Sequence, residues 1–200
     1  KNAGEALKKA GLDYRHVVWS NVYLDNYDNF KPLNKIYNEF FKKGDEPARS
    51  NVTVNALPGG AHVEMTCIAV TDLSTRKVIR KGGGKPGPKH LYDAASPAVW
   101  AGDMLYVSAQ YGGNGTIEQQ FERVMKSHAD ILKNAGLGTK DIVSANVFLR
   151  DIRDYDALNK VYPNYFTEGR PGVRTCFMPF GGSEANDTLV RAYFFAARTK

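Results

Sequence analysis

The stretch "LNKIYNEFF" (33–41) decides the fold, because a second version of it, "LNKVYPNYF", stands at 158–166. The second begins 125 residues after the first (158 − 33 = 125), and at this offset residues 10–49 align with residues 135–174 without a gap. A general preference for apolar residues would explain identical leucines and valines, but not identical Asn, Tyr, Gly and Arg. We therefore interpret the chain as an internal duplication. The identical positions in the first copy are Ala10, Gly11, Leu12, Val18, Asn21, Val22, Leu24, Leu33, Asn34, Lys35, Tyr37, Phe41, Gly44 and Arg49.

The duplication predicts two domains within the 200 residues. A basic segment rich in Gly and Pro, "RKVIRKGGGKPGPKH" (76–90), separates the copies and has the composition of a connector. We expect a partial first domain at 1–79, a linker at 80–89 and a second domain at 90–200. Lys1 aligns with the middle of the second copy's first helix, so the leading hairpin and half of that helix are absent from the first copy.

The second copy has the clearer pattern of helices and strands. "AVWAGDMLYVSAQYG" (98–112) predicts two strands that turn at Gly102 and Asp103, and apolar residues then recur at helical spacing from Ile117 to Leu132. The elements that follow are a strand near 142–151, a helix from about Tyr155 to Phe166, and strands near 174–180 and 188–197. This order predicts an α+β fold in which each domain has a single sheet with two helices on one face.

Charge and hydrophobicity exclude several classes of protein. The formal net charge is +6, but much of the excess lies in the predicted linker, where a solvated tether is the commoner role. That segment lacks the spacing of a phosphate-binding P-loop. No apolar run approaches the roughly 18 residues that a membrane span requires. We therefore expect neither a nucleic-acid partner nor a membrane partner.

The two cysteines, Cys67 and Cys176, are too few for a disulfide framework and stand at non-equivalent places in the two copies. This usage favours a reducing compartment, so we expect a cytoplasmic protein. The first residue is Lys1 rather than Met, which leaves room for a leader removed from a longer chain.

An arginine stands at the same point of both copies, just after a helix and a turn: Arg49 in "DEPARSN" and Arg174 in "RPGVRTC". The planar guanidinium can bind a carboxylate through two parallel hydrogen bonds. The structural alternative is an ion pair with a nearby acid, such as Glu46 or Glu168. Both interpretations stay open from the sequence.

Three further polar residues are candidates for a site. Asn34 and Asn159 fall within predicted helices, where Asn is a mediocre helix former, so each either faces outward or is an amide placed for a purpose. Glu64 alternates with the apolar residues of its strand and lies off the main apolar face. It is either a surface glutamate or an acid that holds a water molecule.

Histidine and cysteine patterns argue against two other chemistries. The histidines show no spacing typical of a metal site, so no metal is expected; they are His16, His62, His90 and His128. His128 falls on the apolar stripe of its helix, which favours a core histidine. Cys176 follows Arg174 by two residues, without a visible Cys-His-acid constellation, so a covalent nucleophile is not favoured.

The first copy resembles the YjgF/YER057c/UK114 family, also called the Rid family, through "NVYLDNYDNFKPLNKIYNEFF" and "PARSNVTVNALPGGAHVEMTCIAV". The second copy is similar to the same family through "SPAVWAGDMLYVSAQ", "AGL", "LNKVYPNYF" and "VRTC". Together these segments cover nearly the whole chain.

The resemblance implies two chorismate-mutase-like domains, trimers, and ligand pockets in the clefts between neighbouring domains. It implies hydrolysis of reactive 2-imino or enamino acids to 2-keto acids and ammonia, without metal or organic cofactor. The family arginine, here Arg49 or Arg174, would hold the substrate carboxylate, and Glu64 would position the attacking water. Asn34, Asn159 and Cys176 would line the substrate pockets. For this chain we expect a trimer of two-domain chains.

The chain departs from the family pattern at several places. Asn51 replaces a cysteine in the first copy, and Arg191 stands at the position of Glu64 in the second copy. A cation in place of an anion reverses the local field and argues against water activation there. We therefore expect the better deaminase cleft to use Arg49 and Glu64. The alternatives are a binding or scaffold protein without catalysis and, with less support, an endoribonuclease.

Overall fold

The structure is a computed structural model, and it describes residues 2–80, 94–166, 172–180 and 188–198. Residues 81–89 of the predicted linker lie outside the described residues. Within the described part, no helix is long and apolar enough to cross a bilayer.

Among the described residues, the first copy contributes two helices and a three-stranded sheet, and the second contributes two helices and most of a six-stranded sheet. In chain order the elements are α1 (Asn2–Lys9), β1 (Val17–Leu24), α2 (Phe30–Phe40), β2 (Ala48–Thr53), β3 (Val63–Ala69), β4 (Arg76–Ile79), β5 (Ala98–Ala101), β6 (Met104–Tyr111), α3 (Ile117–Asn134), β7 (Ile142–Leu149), α4 (Tyr155–Val161), β8 (Val173–Phe177) and β9 (Val190–Ala197).

The first sheet has three strands in the order β2-β1-β3. Its central strand pairs in parallel with β2 and antiparallel with β3. The side chains of Leu7 on α1 and Tyr37 on α2 belong to one buried cluster with Val17 of β1, so both helices cover the same face of the sheet. This arrangement is the predicted α+β layer.

The second sheet has six strands in the order β4-β5-β6-β9-β7-β8. The turn between β5 and β6 contains Gly102 with φ of 59°, a conformation that favours glycine. One face of this sheet packs on α3 and α4 through a large apolar cluster that includes Phe121, Leu158 and Phe194. The two sheets, each with two helices, confirm the predicted fold class.

Two boundaries differ from the sequence-based expectation. The strand β4 falls within the segment assigned to the first domain, but it pairs antiparallel with β5 of the second sheet. Hydrogen bonding therefore groups residues 76–79 with the second sheet. The helix expected to reach Phe166 ends at Val161 and continues as a 3-10 turn, because Pro163 has no N–H to donate to an α-helical bond.

His128 is a core residue, as its position on the apolar stripe predicted. Its side chain is fully buried, and its Nε2–H donates to the carbonyl oxygen of Ala192 at 2.9 Å. Burial lowers the pKa of His128 to about 4, because the buried ring is shielded from the water that would stabilise its charged form. The imidazole is therefore neutral near pH 7.

The two copies contact each other within the chain, mainly between β2 of the first and β6 of the second. The Trp19 ring packs against Tyr193 and Phe195 of β9, with ring centres 4.7 and 5.2 Å apart. A second contact is a hydrogen bond from Arg76 on β4 of the second sheet, whose Nη2 donates to the Asp45 carbonyl oxygen of the first copy at 2.8 Å. These contacts hold the first copy's β2 edge against the second sheet.

Candidate active site

In the first copy, the candidate arginine lies between two aromatic rings. Arg49, on β2, is only 5% exposed. Its Cζ atom lies 4.7 Å from the centre of the Tyr37 ring and 5.9 Å from that of Phe30. Both rings come from the buried side of α2, so the helix supplies cation–π contacts that partly replace lost hydration.

Asn34 lies between those two rings on the helix. Phe30, Asn34 and Tyr37 are the buried residues of α2, and their spacing places them on one face. Neither amide atom of Asn34 has a hydrogen-bond partner among the described residues. Asn34 therefore faces the same groove as Arg49 and is not an outward-facing residue.

The charge of Arg49 is not neutralised by an acid in the described part of the chain, where no ion pair involves it. Glu46, the acid suggested by the sequence, instead accepts the Gly44 N–H at 2.8 and 2.9 Å. Burial lowers the pKa of Arg49, while Tyr37 and Tyr111 act in the opposite direction. A buried cation without an anion costs several kcal/mol, so a purely structural role is a poor explanation.

The second copy forms the opposite wall of this cleft. The backbone N–H of Arg49 donates to the Ser108 Oγ atom at 2.8 Å. The Ser108 hydroxyl donates in turn to the Ser96 carbonyl oxygen at 2.5 Å, and the Ser96 N–H donates to the Pro47 carbonyl oxygen at 3.1 Å. The site around Arg49 is thus built between the two copies of one chain.

The second copy repeats the arginine arrangement. The Cζ atom of Arg174 lies 4.3 Å from the centre of the Tyr162 ring and 5.4 Å from that of Tyr155. Its Nη2 donates to the Tyr155 hydroxyl at 3.0 Å. Asn159 occupies the helical position between the two rings and is partly exposed. Arg49 and Arg174 are therefore equivalent in their aromatic contacts as well as in sequence position.

The two arginines differ in access. Arg174 and Cys176 line an open cavity of about 620 Å³, with Ile152, Arg153, Tyr155 and Asp156 as the other lining residues. Burial raises the pKa of the Cys176 thiol, and nearby Arg174 opposes the shift. Because the thiolate is the nucleophilic form, this shift agrees with a lining role for Cys176. Glu168, the acid suggested as a partner of Arg174, lies outside the described residues.

Glu64 does not share a face of the sheet with Arg49. Arg49 is in register with Ser20 on β1, whereas Glu64 is in register with Tyr23. Positions three apart on a strand point to opposite faces. Glu64 is also exposed, on the edge strand β3. Arg49 and Glu64 of one chain therefore point to opposite faces of the first sheet, and the expectation that they build the better deaminase cleft stays a prediction.

Arg191 is the structural equivalent of Glu64. Glu64 lies opposite Tyr23, and Arg191 lies opposite Phe148, which is Tyr23 shifted by 125 positions (23 + 125 = 148). Arg191 is 5% exposed, and its Cζ atom lies 4.6 Å from the centre of the Phe148 ring. Burial lowers the pKa of Arg191 to about 10, against the opposing influence of Tyr111 and Tyr27.

The aromatic walls are functional candidates that the sequence reasoning missed. A signal for them existed, because Tyr37 recurs as Tyr162 and Phe30 recurs as the aromatic Tyr155 at the offset of the repeat. Ser108 and Tyr111 carried no such signal, since their counterparts would fall before the first residue. Only the packing of the two copies brings them to Arg49.

Comparison with known proteins identifies the family. The family model described as "Endoribonuclease L-PSP" matches residues 1–71 and 86–178. The chain belongs to this family. A RutC family protein from Synechocystis is 30% identical over 111 residues, which are 51% of this chain and 82% of that relative.

Other relatives have names that describe deaminases. The mouse protein named 2-iminobutanoate/2-iminopropanoate deaminase is 46% identical over 70 residues, covering 35% of this chain and 51% of the relative. Reactive Intermediate Deaminase A of Arabidopsis thaliana is 45% identical over 69 residues, covering 34% of this chain and 36% of the relative. The chain thus spans about half the length, or less, of the curated deaminases it matches.

Solved structures show the same fold. A Rid-family protein of unknown function from Yersinia pestis has a TM-score of 0.52 and 22% identity, over 62% of this chain and 99% of its own. TdcF of E. coli, solved with bound serine, has a TM-score of 0.51 and 23% identity, over 62% and 99%. Each of these single-domain structures covers about 62% of this chain. This coverage agrees with a chain that contains two domains.

Proposed function

We propose that this protein is a Rid-type deaminase that hydrolyses reactive 2-imino and enamino acids to 2-keto acids and ammonia. The observation that carries the proposal is the Arg174 arrangement: a guanidinium held over two aromatic rings at the wall of an open cavity. The deaminase names of the relatives support the reaction class.

Arg174 is suited to hold the substrate carboxylate. The guanidinium contacts the rings of Tyr155 and Tyr162, and within the described ranges a hydrogen bond joins its Nη2 to the Tyr155 hydroxyl. The remaining donors can form a bidentate pair with a carboxylate. Cys176, two residues along the same strand, lies on the same face and lines the same cavity.

The reaction needs one water molecule and one proton relay. The water adds to the imine carbon, a carboxylate takes a proton from it, and the same proton moves to the nitrogen. This gives a carbinolamine; the carboxylate then moves the remaining hydroxyl proton to the nitrogen as the C–N bond breaks, so that imine and water become a keto acid and ammonia. Glu64 is the proposed proton relay, since a positioned carboxylate can perform both transfers. This scheme needs no cofactor.

We further propose that Glu64 reaches Arg174 from a second chain. Within one chain, Arg49 of the first copy bonds to Ser108 on β6 of the second, and Tyr111 on the same strand lies opposite Arg191. Arg191 and Glu64 are equivalent positions, so the same relation applied to Arg174 calls for Glu64 of another first copy. Glu64 is exposed and available for such a contact.

The surface near Arg174 fits such an association. Val173, Met178 and Phe180 are 75%, 52% and 59% exposed and lie at and just beyond the edge strand β8. Exposed apolar side chains at one edge of a sheet are suited to a contact with another chain. A trimer of two-domain chains in the cytoplasm remains our prediction, and light scattering that gave a monomer would exclude the shared cleft.

An imine-trapping assay tests the activity. A threonine dehydratase generates 2-iminobutyrate, and semicarbazide traps the imine that escapes hydrolysis. We expect the intact protein to suppress trapping, and Arg174→Ala and Glu64→Gln each to lower the hydrolysis rate about 100-fold or more. Arg15→Ala, an exposed arginine paired with Asp13, is the matched control. Unchanged trapping by the folded intact protein would exclude the deaminase.

Mixing inactive variants tests the shared cleft. If Arg174 and Glu64 come from different chains, co-refolding equal amounts of Arg174→Ala and Glu64→Gln should restore about a quarter of the clefts in a random assembly. No recovery, with assembly intact, would place both residues in one chain's cleft or remove Glu64 from the reaction. Activity lost only in Arg49→Ala would instead assign the reaction to the Arg49 cleft.

The second candidate is binding without turnover. Arg191 is the observation that favours it, because the Arg49 cleft has a cation at the position equivalent to Glu64.

A further inference from the structure

The cleft between the two copies contains two buried guanidinium groups. Arg49 comes from the first copy and Arg191 from the second, and each is 5% exposed. In the β6–β9 pairing, Tyr111 lies directly opposite Arg191, to which its side chain is hydrogen-bonded. The same tyrosine interacts electrostatically with Arg49. Tyr111 therefore lies close to both cations.

Aromatic rings of the first copy connect the two arginines on the other side. Tyr27 stacks on Phe30 with ring centres 5.3 Å apart and an interplanar angle of 12°. Phe30 contacts the Arg49 guanidinium, and Tyr27 interacts electrostatically with Arg191. Phe30, Tyr27 and Tyr111 thus connect the surroundings of Arg49 with those of Arg191 in the space between the copies.

Polar atoms without partners face the same space from β2. Arg49, Asn51 and Thr53 alternate along β2 and point to one face, and all three are buried. Arg49 Nη1, Asn51 Oδ1 and Thr53 Oγ1 have no hydrogen-bond partner among the described residues. Buried polar atoms are nearly always satisfied, so such a row indicates a polar ligand or water.

The space beside Arg191 is small. Arg191 and Thr53 line a recess of about 30 Å³, together with Phe148, Leu149, Arg150, Pro179, Phe180, Thr188, Leu189 and Val190. A water molecule needs roughly 10–15 Å³ by this kind of measure, so the recess has room for one compact group, such as a carboxylate. A bulky ligand would not fit against Arg191.

We propose that the cleft between the copies is a binding site for a small dicarboxylate, with one carboxylate on Arg49 and the other on Arg191. Tyr111 interacts with both arginines, and the amide atoms of Asn34 and Asn51 that lack partners among the described residues are the proposed further polar contacts. A dianion offers each of the two guanidinium groups a carboxylate with which it can form charge-assisted hydrogen bonds. This site is distinct from the proposed Arg174 deaminase cleft.

Binding without hydrolysis follows from the charges. The position that would hold a water-activating carboxylate carries Arg191 instead. The site therefore favours an anion there and does not supply a base. Its proposed role is recognition of a dicarboxylate, independent of whether the Arg174 cleft turns over an imine.

Titration calorimetry on the full chain tests the site. The probes are succinate and glutarate, with butyrate as the monocarboxylate of matched size and inorganic phosphate as the compact alternative anion. A second charge-assisted pair should make the best dicarboxylate bind about tenfold or more tightly than butyrate. Phosphate binding as tightly as the dicarboxylates would overturn the proposed ligand class and leave a general anion site.

Variants assign the preference to the two arginines. Arg191→Gln should remove the tenfold preference for the dicarboxylate over butyrate, whereas Arg49→Gln should weaken the binding of both ligands. Arg191→Glu places a carboxylate in the recess and should abolish dicarboxylate binding. Arg15→Gln, at an exposed arginine outside the cleft, is the control and should bind as the parent does.

Two outcomes would overturn the proposal even if a variant unfolds. Equal affinity of the parent protein for succinate, glutarate and butyrate would do so without any substitution. A preference that survives Arg191→Gln but is lost in Arg174→Gln would move the dicarboxylate to the other cleft. Circular dichroism of each variant establishes that binding is measured on folded protein.

Discussion

The two arginine sites of this chain are copies of one arrangement in two different environments. Arg49 is 5% exposed, contacts two rings of α2 and faces the second copy. Arg174 contacts two rings of α4 and the following turn, but lines an open cavity of about 620 Å³. The same local sequence therefore produces a closed site and an open site.

The difference shows that the neighbouring domain decides what the local motif can do. The ring contacts follow from the helix and strand of each copy. The opposite wall comes from another domain, which is the second copy for Arg49 and, by our proposal, another chain for Arg174. The largest expected effect should therefore come from the contact between the copies.

Trp19→Ala should open the closed site. Trp19 is 4% exposed and packs on Tyr193 and Phe195 of the second copy. Removing a buried ring of this size lowers the free energy of unfolding by about 3–5 kcal/mol. We expect a lower urea midpoint and loss of dicarboxylate binding, because the two walls separate.

Phe177→Ala is the matched change at a partly exposed ring on the edge strand β8. Its ring centre lies 4.7 Å from that of Phe148 but the side chain is 37% exposed, so the expected loss is about 1 kcal/mol. Equal losses for the two substitutions would contradict a special role for the contact between the copies.

Acid should weaken the second copy through His128. The first copy has Ala3 at the equivalent place (128 − 125 = 3). The folded-state pKa of His128 is about 4, below its ordinary value of 6.5, so the unfolded chain binds the proton first as the pH falls. Stability from this residue is complete above pH 6.5 and should fall by about 3 kcal/mol between pH 6.5 and 4.

Urea unfolding at several pH values, followed by amide exchange in each copy, measures this effect. His128→Gln should flatten the curve between pH 6.5 and 4, while His16→Gln in the first copy should retain the slope. A slope that persists in His128→Gln would assign the acid sensitivity to other groups.

The last contrast compares the two arginines themselves. Arg49→Met replaces a buried cation, without an acid partner in the described residues, by an apolar side chain of similar length. We expect the free energy of unfolding to rise by about 2 kcal/mol. Arg174→Met, at the open site, should change it by less than about 0.5 kcal/mol. A clear destabilisation by Arg49→Met in thermal unfolding would indicate a structural partner.

Much of the fold was predictable because hydrophobic periodicity and turn residues act locally. The turn at Gly102, the long helix α3 and the buried His128 all agree with the sequence-based expectations. The early end of α4 also has a local cause, Pro163, which the sequence displays but which the expectation of a helix to Phe166 neglected.

The relation between Arg49 and Glu64 was not predictable in the same way. All six residues of β2 are buried, so this strand shows no alternation that would reveal which face Arg49 occupies. The face of Glu64 could be inferred from its own strand. Their opposite orientation appears only from the register of both strands with β1.

The sequence by itself determined the duplication, the two α+β units and an arginine at the same point of each. These properties depend on residue identity and spacing along the chain, which short-range sterics and burial convert into helices and strands. Only the folded chain shows that β4 joins the second sheet and that Arg49 and Glu64 point to opposite faces of the first sheet. The physical reason is that such pairings depend on strand register and on which domain covers each edge, and both are set by contacts between residues far apart in sequence.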